Sequence, residues 1–389
     1  MNSGQGSTRL YYMDNLRALA MLVGLFFHAA LAYSPLLHSF WPAADAQNHW
    51  LFGVFAQLSH LFRMPVFFMM AGFFCALLLQ KRGAKAFCKN RLLRIALPLV
   101  LFLPLLTLCM MVIFQYAIEN VQNQSPFLSF VQNMMAMPNP PPPPMSTMHL
   151  WFLYHLLFLY LLTFVLKTLV PEHLIKRLTL LKPLPLMLVC SALILPALYA
   201  VPAPFPAPEW IFPALWALAF YGVFFALGYA YFFKPNLLKQ YEAHLPYYLL
   251  VGLVSYALYY YLLPSQLLPD MQITGLQKLA ITALETISSI TLTISVLLYA
   301  KRWLNFSNTL MAYISKVSYW VYLVHLPIVF WLQFLLMDVN WHLGLKFFIA
   351  SFGTLFLCLL SFHLLVSWTW LARMLVGTTA KKHLTGSEN

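Results

Sequence analysis

Arg17 and His28 stand eleven residues apart in the first apolar segment of the chain. On an α-helix that spacing is close to three turns, so both side chains share one face, about 16 Å apart along the axis. A neutral imidazole takes a proton from an alcohol when a partner orients it, and a guanidinium group suits anions. Other ionisable groups follow in equally apolar surroundings: His60, Arg63, Glu285 and His325. Ionisable residues inside apolar helices face a bundle interior and mark substrate paths or proton-handling sites. Together these residues point to chemistry inside a membrane.

Each residue also has a structural alternative. His28 lies at or beyond the bilayer midplane, toward the outside, as a base or as a core histidine bonded to a carbonyl; position alone does not choose. Asp14 and Arg17 are three apart and pair on one face, as a helix-end ion pair or as an anchor for a phosphorylated donor. His60 and Arg63 enter from the external end of the second segment. An arginine at that depth costs at least ~2.5 kcal/mol on insertion scales and needs a partner. Arg91 and Arg94 suit phosphates, or anchor a cytoplasmic helix end. His149, Trp151 and Phe152 open the fourth segment, where tryptophan is commonly an interface residue. Tyr322 and His325 share a face, with Ser318 one turn below. Glu285 is a lone acid suited to orienting a histidine or neutralising Arg63.

The elements that carry these groups must be membrane helices. The 389 residues are 62% hydrophobic and 8% charged, with mean hydropathy +0.75. A water-soluble domain of that composition could not cover its surface. The expected fold is all-α, a single polytopic domain over 1–389. Ten spans are expected, at about 16–37, 50–80, 92–118, 149–170, 183–200, 210–233, 246–263, 276–299, 309–334 and 342–370. Pro65 and Pro327 fall inside spans and open the backbone ladder locally. The first segment lacks a small-residue cleavage site and reads as a retained helix. Net charge is +13, but the basic residues are dispersed, so nucleic acid is not the expected partner. The five cysteines form no close CxxC pair, so neither a metal site nor a disulfide framework is expected.

Charge sets the expected orientation. The second connection holds Lys81, Arg82, Lys85, Lys89, Arg91 and Arg94, and the fourth Lys167, Lys176, Arg177 and Lys182. The sixth has Lys234 and Lys239, the eighth Lys301 and Arg302, and the tail (374–389) Lys381 and Lys382, with Arg373 just before it. The odd connections carry Asp45, Glu119, Glu209, Asp270 and Asp338, with Lys278 the main exception. Both termini are therefore expected in the cytoplasm. The third connection, about 119–148, is external and Pro-rich, with Pro138 and the run Pro140 to Pro144. It reads as a stiff surface loop, or as a lid or acceptor-contacting rim. The fifth connection, Val201-Pro-Ala-Pro-Phe-Pro-Ala-Pro208, is equally undecided. No internal repeat supports a transporter built from two halves.

In this order the residues resemble the polytopic membrane acyltransferase 3 family. The match comprises Asp14-x-x-Arg17 followed by His28, Phe67-Phe68-x-x-x-Gly72-Phe73, Arg91-x-x-Arg94, His149-Leu-Trp151-Phe152-Leu and Ser318-Tyr-x-x-Tyr322-Leu-x-His325. These motifs cover nearly the whole chain and are specific together; the Arg17–His28 spacing alone is weak. Within the family, Ser59-His60-Leu-Phe-Arg63-Met and the absence of a fused extracellular domain resemble members implicated in succinylating osmoregulated periplasmic glucans. Ala71 stands where many members have Ser.

The resemblance implies a bacterial inner-membrane enzyme, with an acyl-CoA donor from the cytoplasm and a glycan acceptor outside. It implies His28 as catalytic base, Arg17 as its companion, and Arg91 and Arg94 at the donor site. Tyr322 or His325 is the expected oxyanion donor, and Arg63 the expected contact for a carboxylate on a succinyl group. His60, Ser318, Trp151 and Glu285 are expected to line the substrate site. No tightly bound cofactor or metal is expected, and glucan-synthesis machinery is a candidate partner. An acetyltransferase acting on another surface polysaccharide, a transporter of an anionic or acylated molecule, and a scaffold for a glucan synthase stay open as alternatives.

Overall fold

A computed structural model of the chain describes residues 10–140, 142, 145–169 and 180–376. Residues 377–389 of the expected tail, Lys176, Arg177, most of the Pro140 to Pro144 run, and the side chains of Lys167 and Arg373 lie outside the described residues. The described chain is helical, with one isolated bridge, between Ser146 and Trp210.

The helices are α1 (Tyr11–Leu31), α2 (Trp50–Arg91), α3 (Leu97–Asn120), α4 (Pro126–Met135), α5 (Trp151–Leu169), α6 (Pro183–Tyr199) and α7 (Leu215–Phe233). They continue as α8 (Asn236–Glu242), α9 (Leu245–Leu262), α10 (Gly275–Trp303), α11 (Thr309–Met337), α12 (Leu343–Phe348), α13 (Thr354–Ser361) and α14 (Trp370–Val376). Each of the ten apolar segments coincides with helix. By length and composition, eight helical stretches can cross a membrane. The difference from ten has two causes. The second and third segments run together as Trp50–Asn120, and α6 has only 17 residues. Within that long stretch α2 breaks at Gly83, whose φ of 74° favours glycine, and a π turn at Leu92–Ala96 leads into α3.

Apolar side chains cover the outside, and polar groups lie buried within a largely apolar core. Val100, Leu108 and Val112 of α3, Leu188 and Leu193 of α6, and Leu364 and Leu365 face outward. Gln57, Arg63, His149, Glu285, His325 and Gln333 are buried. That arrangement suits a lipid surround, where a polar interior must satisfy itself. Helices α1, α2, α10 and α11 form the centre, and α7 packs along α2. The α2–α7 crossing depends on absent side chains: a Cβ on Gly72 would lie 1.9 Å from the Phe225 carbonyl oxygen, and one on Gly228 1.8 Å from that of Met69. Small residues at such a crossing let the two backbones touch.

The connections gather at two ends. At one end the Leu267 amide donates to the Leu36 carbonyl, the amides of Gln122 and Asn123 to Asp338, and the Thr147 amide to the Glu209 carbonyl. These bonds join the odd connections. There Lys346 and Asp45 also form an ion pair of 2.7 Å, with side chains 2% and 3% exposed. At the other end Lys301 pairs with Glu242, Tyr241 bonds the Pro183 carbonyl, and Asn15 bonds the carbonyls of Leu304 and Phe306. The described ends of the fourth, sixth and eighth connections meet at this second end.

Candidate active site

One cavity of about 1700 Å³ runs through the centre. Arg17, Arg82, Arg91, Arg94 and Lys316 line it toward the basic end; Phe40, Gln272, Lys278 and Glu209 line it toward the opposite end. Ligand pockets commonly measure about 300–1,000 Å³, so this one has room for two substrates meeting inside the protein.

His28 stands on its wall between the two ends. Its ring stacks against Trp41 at 5.8 Å, meets Phe27 edge-on at 4.9 Å and lies 5.2 Å from His325. His149 lies 5.1 Å beyond His325, so three imidazoles adjoin one another. His28 Nδ1 is buried and without a hydrogen-bond partner.

Carbonyl oxygens accept only, which assigns the neighbouring tautomers. His325 Nδ1–H donates to the carbonyls of Tyr322 (2.9 Å) and Val321 (3.1 Å), so Nε2 holds a lone pair, buried and unpartnered. His149 Nε2–H donates to the Leu323 carbonyl at 3.0 Å, leaving the lone pair on its unpartnered Nδ1. The Tyr322 hydroxyl donates to the His149 carbonyl at 2.8 Å. The two expected oxyanion donors, Tyr322 and His325, thus already spend their hydrogens on backbone. Met148, at φ 47°, turns the chain so that His149 enters this cluster.

Arg17 is not beside His28: its Nη2 bonds Ser315 at 3.0 Å and Asp14 at 3.4 Å, and the shared cavity is what links it to His28. Ser318 donates to the Ser315 carbonyl at 2.9 Å within its own helix. Trp151, expected to line the substrate site, is buried against Tyr221 and Phe68 and faces the cavity. Arg91 lies over the rings of Tyr160 and Phe87, at 5.0 and 5.2 Å, and the Arg94 carbonyl accepts from Tyr319 at 2.7 Å. The π turn starts between these two arginines, yet both reach the cavity.

Arg63 lies with its guanidinium carbon 4.3 Å from the centre of the Phe27 ring, and its Nη1 has no hydrogen-bond partner. Among the described residues no carboxylate pairs with it, Glu285 included. Glu285 instead accepts the Phe205 amide at 3.2 Å, and the Phe205 carbonyl accepts from His60 Nε2 at 3.2 Å. One residue of the Pro-rich fifth connection, Phe205, thus joins Glu285 to His60 through its amide and its carbonyl. Glu209, in the same connection, is exposed and lines the cavity. Among the described residues no three His, Cys, Asp or Glu side chains form a metal-binding group.

Three contributors were not among the expected site residues. Gln333 donates to the carbonyls of His28 (3.3 Å) and Ala29 (3.1 Å) and accepts from Trp41 Nε1 (3.0 Å). Its signal was a lone amide in an apolar span. Trp41 sits in a connection and carried no signal. His149 was visible as a residue at a span start and as the first residue of the His149-Leu-Trp151-Phe152-Leu motif, without a role assigned to it.

A family model described as an acyltransferase domain, Acyl_transf_3, matches residues 10–363. Over 146 residues, 37% of this chain, the sequence is 34% identical to glucans biosynthesis protein C of Salmonella paratyphi B, Salmonella heidelberg and Salmonella dublin. The matched stretch spans about a third of those relatives, 35% of their length. No solved structure matches.

Proposed function

The chain belongs to the acyltransferase 3 family, and from that premise we propose that it is a membrane O-acyltransferase moving a succinyl group from acyl-CoA to a hydroxyl of a periplasmic glucan. The observation that carries this reading is the placement of His28 on the wall of a cavity lined by guanidinium groups at one end and reaching the other end. The basic end faces the cytoplasm of a bacterial inner membrane, in line with the charge asymmetry of the connections.

Acyl-CoA, a co-substrate and not a resident cofactor, arrives at the basic end. Arg91 and Arg94 take its phosphates, for which paired guanidinium groups are suited. The pantetheine arm brings the thioester up the cavity toward His28. The acceptor hydroxyl comes from the opposite end, past Glu209 and Lys278, and His28 removes its proton as it attacks. The name of the curated relatives, glucans biosynthesis protein C, supports a glucan as acceptor.

The test is transfer by purified protein in detergent, with no gradient. Radiolabelled succinyl-CoA and acetyl-CoA are offered in parallel, with a β-glucan as acceptor. Label in the glucan supports the reading, and the better donor names the acyl group. A folded protein that transfers neither group, yet moves label across proteoliposomes, would replace the enzyme with a transporter.

A further inference from the structure

We propose that Arg63 receives the negative charge that builds on the thioester oxygen during transfer, an inference that rests on the acyltransferase reading above. The donors flanking His28 are committed elsewhere. His325, His149, Tyr322 and His60 each give their hydrogen to a backbone carbonyl. Arg63 Nη1 is the exception, buried and without a hydrogen-bond partner.

The room for this group comes from Gly24. A Cβ at Gly24 would lie 3.3 Å from Arg63 Nη1. Gly24 and His28 are four residues apart on α1 and share a face, so Nη1 sits about 6 Å along the axis from His28, on the side of Arg17. A donor rising from the basic end therefore presents its carbonyl to Arg63 as the acceptor hydroxyl meets His28. A carboxylate at the far end of a succinyl chain would lie beyond the carbonyl, away from that side. This geometry favours the thioester oxygen over the expected carboxylate contact.

The step balances without a further reactant. The hydroxyl oxygen bonds to the carbonyl carbon while its proton passes to His28. The carbonyl π pair moves onto oxygen, to which an Arg63 N–H donates a hydrogen bond. The carbon–oxygen double bond re-forms, the carbon–sulfur bond breaks, and His28 returns the proton to the CoA thiolate. A fixed donor aimed at charge that develops only in the transition state raises kcat more than substrate affinity.

The experiment compares Arg63→Met, Arg63→Lys and Gly24→Ala with wild type, using succinyl-CoA and acetyl-CoA, and separates kcat from KM. Arg63→Met is expected to lower kcat about 10²–10³-fold for both donors, with donor KM little changed. Arg63→Lys keeps a cation and should recover part of the rate. Gly24→Ala, which keeps the arginine but crowds Nη1, should lower kcat in the same direction, and it serves as the test should Arg63→Met not fold. A loss confined to succinyl-CoA and carried by KM would overturn the inference and make Arg63 a carboxylate anchor. Unchanged kcat in Arg63→Met beside active wild type would remove it and leave the enzyme reading intact. An inactive, folded wild type would remove both.

Discussion

Helix α1 ends next to His28, and the final turn of a helix leaves carbonyls without intrahelical donors. Two of these, on His28 and Ala29, are served from another helix by the Gln333 amide, whose oxygen also holds the Trp41 indole. Gln333→Leu should therefore remove three hydrogen bonds at a residue 1% exposed. At about 1 kcal/mol each, with the indole N–H and two carbonyls left unsatisfied, the cost comes to about 2–4 kcal/mol. Trp41→Phe removes only the indole bond and keeps a ring over His28, so it should cost about 1 kcal/mol. The Trp41–Gln333 bond can be lost once only, so the double variant should be less destabilised than the sum of the singles by about 1 kcal/mol. Equilibrium unfolding of the four proteins in mild detergent measures this coupling. The same set, assayed for transfer, should show a larger fall in kcat for Gln333→Leu than for Trp41→Phe, because only the former frees the end of α1. Strictly additive energies, or a Gln333→Leu variant within about 0.5 kcal/mol of wild type, would refute the reasoning.

Lys346→Met leaves Asp45 buried and unpaired and should cost about 3–5 kcal/mol, whereas Asp45→Leu with Lys346→Met should recover most of it, read as Tm. Gly228→Ala drives a methyl group into the Met69 carbonyl, which would lie 1.8 Å away; loss of folded, monodisperse protein on size exclusion is expected, and a normal yield would mean that the α2–α7 crossing shifts freely. Replacing Arg91 and Arg94 together with Gln should raise the KM for acyl-CoA by roughly 10–100-fold through lost charge-assisted bonds, with kcat nearly unchanged in steady-state assays.

How much of this was legible beforehand differs by residue. The apolar segments announced themselves by length, and every one became helix, because hydrocarbon allows a backbone few other choices. The cavity residues His28, Arg63 and His325 stood out because ionisable groups are costly at such depth. Their partners did not. One partner of Glu285 is the backbone amide of Phe205, reached across the fold from a connection, and no side-chain pattern encodes that bond. Trp41 meets His28 only because the first connection folds back over the end of α1. The π turn at Leu92–Ala96 contains neither glycine nor proline to mark it. The hydrogens of Tyr322 and His325 looked free for an oxyanion until the carbonyls around them were placed.

Transfer should depend on His28 as its base. The most direct measurement compares wild type with His28→Ala in detergent, following label from succinyl-CoA into a β-glucan, with size exclusion and Tm showing both proteins folded. Wild type should transfer the label, and His28→Ala should lose about 10²–10⁴-fold of that rate. Transfer by His28→Ala at the wild-type rate would contradict that role.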